Sequence, residues 1–99
     1  MAGLSEIDNQ FIFDKLINPL KARGCKIFLF GSRATGKFKK FSDIDLIFYT
    51  PKEQTKLSAS EVFELITFIE ESTFIYKVDL VNEQDLAAGY KEKAEQIEL

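Results

Sequence analysis

A short central stretch constrains this chain more than any other feature. The apolar run Lys26–Phe30 reads as a buried strand, and Gly31 and Ser32 follow it at once. After ten more residues, Asp43 and Asp45 open a second strand. Backbone amides and cations bind phosphate, and paired acids bind divalent metal, so this combination suits a nucleoside triphosphate with its metal. The stretch predicts a nucleotide and metal site between two neighbouring strands.

Positive charge is concentrated in the loop of this stretch. The chain has a net charge of −3 at pH 7, with 13 basic and 16 acidic residues, yet residues 31–42 carry no acid. Four bases lie there: Arg33, Lys37, Lys39 and Lys40. We interpret the loop as a local anion site rather than a nucleic-acid surface. Arg33 and Lys37 are predicted to neutralise a leaving pyrophosphate, whereas Lys39 and Lys40 are better explained as solvated loop residues.

Length and composition exclude several classes of protein. Ninety-nine residues predict a single domain spanning residues 1–99, and 45% hydrophobic residues can supply its core. The single Cys25 forms no internal disulfide, and the absence of His excludes an imidazole base or a His-ligated zinc. The first residues lack a signal-peptide pattern, and no apolar run approaches the ~20 residues of a membrane span. We therefore expect a soluble, cytoplasmic protein.

Helix and strand patterns alternate along the chain. A capped helix is predicted from Ser5, kinked or ended by Pro19 and terminated at Gly24. Residues 31–42 are predicted as a loop between strands 26–30 and 43–49. Ser58 caps a second helix with an apolar stripe, and Phe74 to Val81 reads as a third strand.

A last helix is predicted to start at Asn82 and Asp85. Its apolar face would hold Leu86, Tyr90, Ala94 and Ile97. The order is then helix, strand, strand, helix, strand, helix. This order predicts an α+β, two-layer fold: a small mixed sheet with helices packed on one face.

Three acids are predicted to meet on this sheet. Asp43 and Asp45 leave one face of a strand, with Cα atoms roughly 6–7 Å apart. Carboxylates brought within about 5 Å repel by about 3 kcal/mol at an effective dielectric of 20, so a cluster is tolerable when a cation sits in it. Asp79 is the natural third, and oxygen ligands favour Mg²⁺ or Mn²⁺. Taken singly, Asp43 could cap a turn and Asp79 could pair with a lysine.

The glycine–serine turn has its own rationale and its own competitor. Gly31 lets the backbone turn sharply and approach phosphate, and Ser32 offers a hydroxyl and an amide as donors. Residues 31–37 also match most of a P-loop, G-x-x-x-x-G-K. However, Phe38 stands where a Ser or Thr should hold Mg²⁺, and no helix pattern follows Lys39. The P-loop interpretation is therefore rejected.

The motifs Phe30–Ala34 and Ser42–Leu46 resemble the signature of the DNA polymerase beta-type nucleotidyltransferase superfamily. Within it, the chain is similar to the minimal nucleotidyltransferases, the MntA-type antitoxins paired with HEPN-domain toxins. The resemblance implies a nucleotidyltransferase fold in which the glycine–serine pair, Gly31 and Ser32, holds the triphosphate of ATP. It also implies that the paired acids bind two Mg²⁺ ions and that the third acid joins them and helps to activate the attacking hydroxyl. These acids correspond to Asp43, Asp45 and Asp79.

The resemblance further implies transfer of AMP from ATP to a tyrosine of a partner HEPN-type RNase toxin. No acceptor-binding domain is evident, which favours a protein acceptor that brings its own docking surface. A homo-oligomer is left open, and neither membrane contact nor stable nucleic-acid binding is expected.

Two other functions stay open. The chain could mask its toxin without catalysis, with Phe38, Phe41, Phe63 and Phe68 as partner-facing residues, although core packing is the alternative for these side chains. It could also be a catalytic subunit that modifies RNA or a small molecule with a helical substrate-binding partner.

Overall fold

A four-stranded mixed sheet forms one layer of the protein. The structure, a computed structural model, describes residues 1, 3–50, 58–85 and 96–99. The strands are β1 (Lys26–Phe30), β2 (Ile44–Tyr49), β3 (Val78–Asn82) and β4 (Ile97–Glu98), in the spatial order β3-β2-β1-β4. β1 pairs antiparallel with β2 and with β4, and β2 pairs parallel with β3. The predicted mixed sheet is confirmed.

The first helical segment continues through Pro19 and ends at Ala22, close to the predicted terminator Gly24. It consists of α1 (Glu6–Ile12), a π-helical turn (Phe13–Ile17) and α2 (Asn18–Ala22). The Ser5 hydroxyl caps α1 by accepting from the Asp8 amide at 3.1 Å, as predicted. Pro19 does not end the helix. It lacks the N–H that would bond one turn back, and the helix widens into the π-helical turn just before it.

Two further α-helices complete the set of α-helices in the described residues. A four-residue helix, α3 (Ser32–Thr35), lies within residues 31–42, so the prediction of an uninterrupted loop there is wrong. One turn is too short to show a periodic pattern. The longer α4 (Ala59–Glu70) begins at Ser58, whose hydroxyl accepts from the Glu61 amide at 3.2 Å, as predicted. Within the described ranges, no helix is long and apolar enough to cross a membrane.

The last third of the chain departs most from its predicted elements. β3 begins at Val78 instead of Phe74, because β2 begins only at Ile44, which is the register partner of Val78. The Asn82 side chain accepts from the Gln84 amide and starts a 3₁₀ turn over Glu83–Asp85. Leu86, Tyr90 and Ala94 of the predicted last helix lie outside the described residues. Ile97 does not belong to a helix: it lies in β4, a strand too short to leave a pattern.

The helical segment and α4 pack on one face of the sheet, and Asp45 lies on the other face. Strand residues on the first face pack against the helical segment and α4 in one buried cluster that includes Leu16, Leu29, Leu46 and Ile69. Each such side chain stabilises the fold by about 1.5–3 kcal/mol on burial. Because side chains alternate along a strand, Asp45, next to Leu46, points to the opposite face. The helical layer therefore supports the sheet without covering its acids.

We expect the π-helical turn to carry a large share of the core energy. Leu16 is fully buried there, so Leu16→Ala should lower the free energy of unfolding by about 2–5 kcal/mol. Ile7→Ala, at a side chain that is 83% exposed on the same segment, is the matched control and should change stability little. Urea denaturation of both variants tests this. Equal losses in the two variants would contradict the proposed packing.

Candidate active site

Two carboxylates stand side by side on the face opposite the helical layer. Asp45 of β2 is the direct register partner of Asp79 of β3, on strands about 4.8 Å apart. Asp43 is exposed just before β2 begins. Burial raises the pKa of the Asp45 carboxyl, and the nearby charges of Asp79 and Asp43 and a hydrogen bond with Asp79 raise it further. The structure thus brings all three predicted acids within electrostatic reach of one another.

A lysine lies beside this group of acids. The Lys77 ammonium is 3.7 Å from the Asp79 carboxylate, and its charge partly offsets the rise in the pKa of Asp45. The ion pair between Asp79 and a lysine, which the sequence offered as an alternative role for Asp79, is therefore observed. The two side chains are 68% and 42% exposed, so the pair contributes little to stability. The pair leaves the Asp79 carboxylate accessible to a divalent cation, which would bind it more strongly than the Lys77 ammonium does.

The donor set suits a divalent cation of the Mg²⁺ type. It consists of carboxylate oxygens on a half-exposed face, and the like charges around Asp45 are the condition that a bound cation relieves. The carboxylates do not, however, converge on a single metal position. Among residues 1, 3–50, 58–85 and 96–99, no group of three or more Asp, Glu, Cys or His side chains is close enough to hold a metal ion. Metal binding by Asp43, Asp45 and Asp79 stays a prediction.

The glycine–serine turn lies directly against these acids. Gly31 has φ 73° and ψ −156°, a conformation open essentially to glycine alone, and a Cβ there would collide with the Asp45 carboxylate. The Ala34 and Thr35 amides both donate to the Gly31 carbonyl and close the single turn of α3. Ser32 follows, half-buried. The predicted phosphate turn and the predicted metal acids are therefore neighbours in space.

The two predicted phosphate cations have different surroundings. Lys37 is exposed, and its amide donates to the Ser32 carbonyl at 3.0 Å, which holds it beside the turn. Arg33 is only 1% exposed, and its guanidinium donates to the Ser42 carbonyl from Nε at 3.1 Å and from Nη2 at 2.9 Å. Its partner Tyr76 is too distant in sequence for any pattern to have revealed this environment.

Three of the four phenylalanines predicted to face a partner are exposed. Phe41, Phe63 and Phe68 are 62%, 70% and 53% exposed, whereas Phe38 is half-buried with its ring 5.0 Å from the Arg33 guanidinium. Exposure alone does not identify a partner, so their docking role stays a prediction.

Comparison with known families agrees with this geometry. A family model described as polymerase beta, nucleotidyltransferase matches residues 14–97 and so spans the turn and all three acids. The chain belongs to the polymerase beta nucleotidyltransferase family. No curated protein matches the sequence.

Two solved structures are similar to this family member. One is a chain of a toxin–antitoxin crystal structure determined with AMP-PNP, at 27% identity and a TM-score of 0.54. The match covers 75% of this chain and 59% of that one, so the chain spans less than two thirds of its neighbour. The other is a nucleotidyltransferase candidate from Sulfolobus solfataricus, at 13% identity, a TM-score of 0.46 and coverages of 99% and 90%.

Gly31→Ala should disturb the acids as well as the backbone. A side chain in this conformation costs on the order of 1–3 kcal/mol, and the new methyl group must also displace Asp45. Gly36→Ala is the matched control: it has a similar φ of 79°, but an added Cβ meets nothing within 4 Å. We expect both variants to lose stability in urea denaturation and only Gly31→Ala to lose binding of AMP-PNP with Mg²⁺. Equal binding by both would contradict the proposed proximity.

Asp45→Asn should stabilise the metal-free protein at neutral pH. The folded state holds the Asp45 proton more tightly than the unfolded chain, so wild-type stability falls as pH rises from 3.8 through the raised pKa. The variant lacks this fall, so its Tm should exceed that of the wild type near neutrality and match it below pH 3.8. Calorimetry in a chelator tests this, with the exposed Asp14→Asn as control. A lower Tm for Asp45→Asn at neutral pH would contradict it.

Proposed function

We propose that the protein is a metal-dependent nucleotidyltransferase that moves AMP from ATP to a tyrosine hydroxyl of a partner HEPN-type RNase toxin, and so acts as its antitoxin. The observation that carries the proposal is the position of Asp45, which lies beside Asp79 and against the Gly31 turn. Triphosphate-binding backbone and metal-binding carboxylates are the two parts that this chemistry needs. Membership of the polymerase beta nucleotidyltransferase family supports the reaction class.

The reaction is an in-line displacement at the α-phosphorus of ATP. The acceptor hydroxyl oxygen forms a bond to this phosphorus, the bond to the β-phosphate bridging oxygen breaks, and pyrophosphate leaves. The hydroxyl proton passes to a base, a role that we assign to Asp79 on the strand beside Asp45. Because there is no His in the chain, carboxylates are the natural bases here.

The other residues of the site would stabilise the negative charges of the triphosphate and of the reacting oxygens. Asp43, Asp45 and Asp79 would hold two Mg²⁺ ions, with Mn²⁺ as an alternative, and these ions would stabilise charge on the attacking and leaving oxygens. Gly31 and Ser32 approach the triphosphate, and the exposed Lys37 beside them neutralises the leaving pyrophosphate. The charge of the loop also predicted this last role for Arg33, but the burial of Arg33 favours a different one.

A protein acceptor is favoured by the structural neighbour. That neighbour is described as a toxin–antitoxin with AMP-PNP, an analogue of ATP, which supports both the nucleotide and a toxin partner for this chain. A cytoplasmic location remains part of the proposal.

Labelled ATP distinguishes this function from its rivals. The chain is incubated with Mg²⁺, a purified HEPN-domain RNase and ATP labelled at either the α- or the γ-phosphate. We expect α-label on a tyrosine of the RNase, no γ-label, and loss of RNase activity. Asp43→Ala and Asp45→Ala should each lower the transfer rate at least about a hundredfold, as when a preorganised charge-stabilising group is lost. Asp14→Asn, at an exposed site on the helical segment, serves as the control.

Each rival predicts a different result. Label on RNA or on a small molecule would replace the toxin as the substrate. Inhibition of the RNase that survives both alanine variants, without label, would identify a masking antitoxin instead of an enzyme.

A further inference from the structure

Arg33 occupies an unusual position for a residue next to a phosphate-binding turn. It follows Gly31 and Ser32 directly, yet it is 1% exposed and is the one charged side chain among the described residues that is buried. A buried charge is costly unless hydrogen bonds and close partners compensate it. The contacts of the Arg33 guanidinium therefore indicate its role in the structure.

Those contacts converge on the residue that precedes the metal acids. Nε and Nη2 both donate to the Ser42 carbonyl, and Nη2 also reaches the Lys40 carbonyl at 3.5 Å. The same loop is closed on itself: the Lys39 amide donates to the Ser42 hydroxyl at 2.7 Å, and the Ser42 amide donates to the Lys39 carbonyl at 3.1 Å. The guanidinium thus holds a preformed turn at the peptide group that leads into Asp43.

Two aromatic rings contact the guanidinium. Its central carbon lies 5.0 Å from the Phe38 ring centroid and 4.9 Å from that of Tyr76, within cation–π range. Tyr76 stands three residues before Asp79, in the segment that leads into β3. Gly3 packs against the same group, since a Cβ there would collide with the Phe38 ring and lie 2.8 Å from Nη1.

We propose that Arg33 is a positioning residue: its buried guanidinium ties the 39–42 turn and the segment before β3 to the glycine–serine turn, and so fixes Asp43 and Asp45 relative to Asp79. This inference rests on the proposed function for its catalytic consequence. It differs from the role that was predicted for Arg33 from the charge of the loop, because a buried side chain that makes these contacts does not bind phosphate. Lysine cannot replace it, because only the planar guanidinium can donate several hydrogen bonds in one plane and also stack against two aromatic rings.

Amide hydrogen exchange tests the structural half without any substrate. Arg33→Lys and Tyr76→Leu should each accelerate exchange of the Lys39 and Ser42 amides at least about tenfold over wild type, since local opening frees these bonds. Leu16→Ala is the control for general destabilisation, because Leu16 lies in the core on the other face of the sheet. It should leave exchange in this turn less affected than either variant does. Unchanged exchange in both Arg33→Lys and Tyr76→Leu would overturn the proposal.

Kinetics test the catalytic half. Arg33→Lys and Tyr76→Leu should lower kcat by about 10–100-fold, as supporting contacts around metal ligands typically do, with less than a threefold change in KM for ATP. Tyr76→Phe keeps the ring and should rescue most of the loss. Lys37→Ala should instead act mainly on KM. A raised KM with normal kcat in Arg33→Lys would make Arg33 a phosphate ligand and overturn the proposal.

The two halves keep the proposals distinguishable. If wild type transfers no nucleotide but the exchange effect is present, the proposed function fails while the structural tie stands. If wild type is active and neither exchange nor kcat responds in the Arg33 and Tyr76 variants, the proposed function stands and the positioning role fails.

Discussion

The like-charge contact between Asp45 and Asp79 is the constraint on which the rest of the structure depends. Parallel pairing of β2 and β3 places these two acids side by side. Burial raises the pKa of Asp45, and the charges of Asp79 and Asp43 raise it further. Nothing in the hydrophobic effect favours such an arrangement. The fold tolerates it because the opposite face of the same strands packs against the helical layer, where a cluster of fully buried aliphatic side chains supplies the stabilisation.

The glycine–serine turn and the basic loop are arranged around that contact. Gly31 has no side chain, so the backbone can lie against the Asp45 carboxylate without a collision. Arg33 then faces inward and Lys37 faces solvent, although both belong to one short basic segment. The first cation organises backbone, and the second is available to an anionic ligand. This difference between Arg33 and Lys37 shows that one basic residue of the loop can stabilise its backbone while another faces solvent.

The sequence was informative where local chemistry was strong. The capping serines, the two central strands and the spacing from the turn to the acids were readable because each depends on nearby residues, and the structure places them as predicted. The sequence predicted that the strands of Asp45 and Asp79 are neighbours, but it did not predict the register that pairs the two residues. The role of Arg33 could not be read, because the position of Tyr76 beside it depends on tertiary packing. Likewise, α3 and β4 are too short to leave a periodic signal.

The long crossover between β2 and β3 has a consequence for the order of assembly. Asp43 and Asp45 meet the Gly31 turn through an antiparallel pair that is close in sequence, whereas Asp79 lies 34 positions beyond Asp45, after α4. Closing the longer loop costs more chain entropy, so the third carboxylate should join last during folding. A newly made chain would therefore bring the Gly31 turn together with Asp45 before the strand that carries Asp79 pairs with β2.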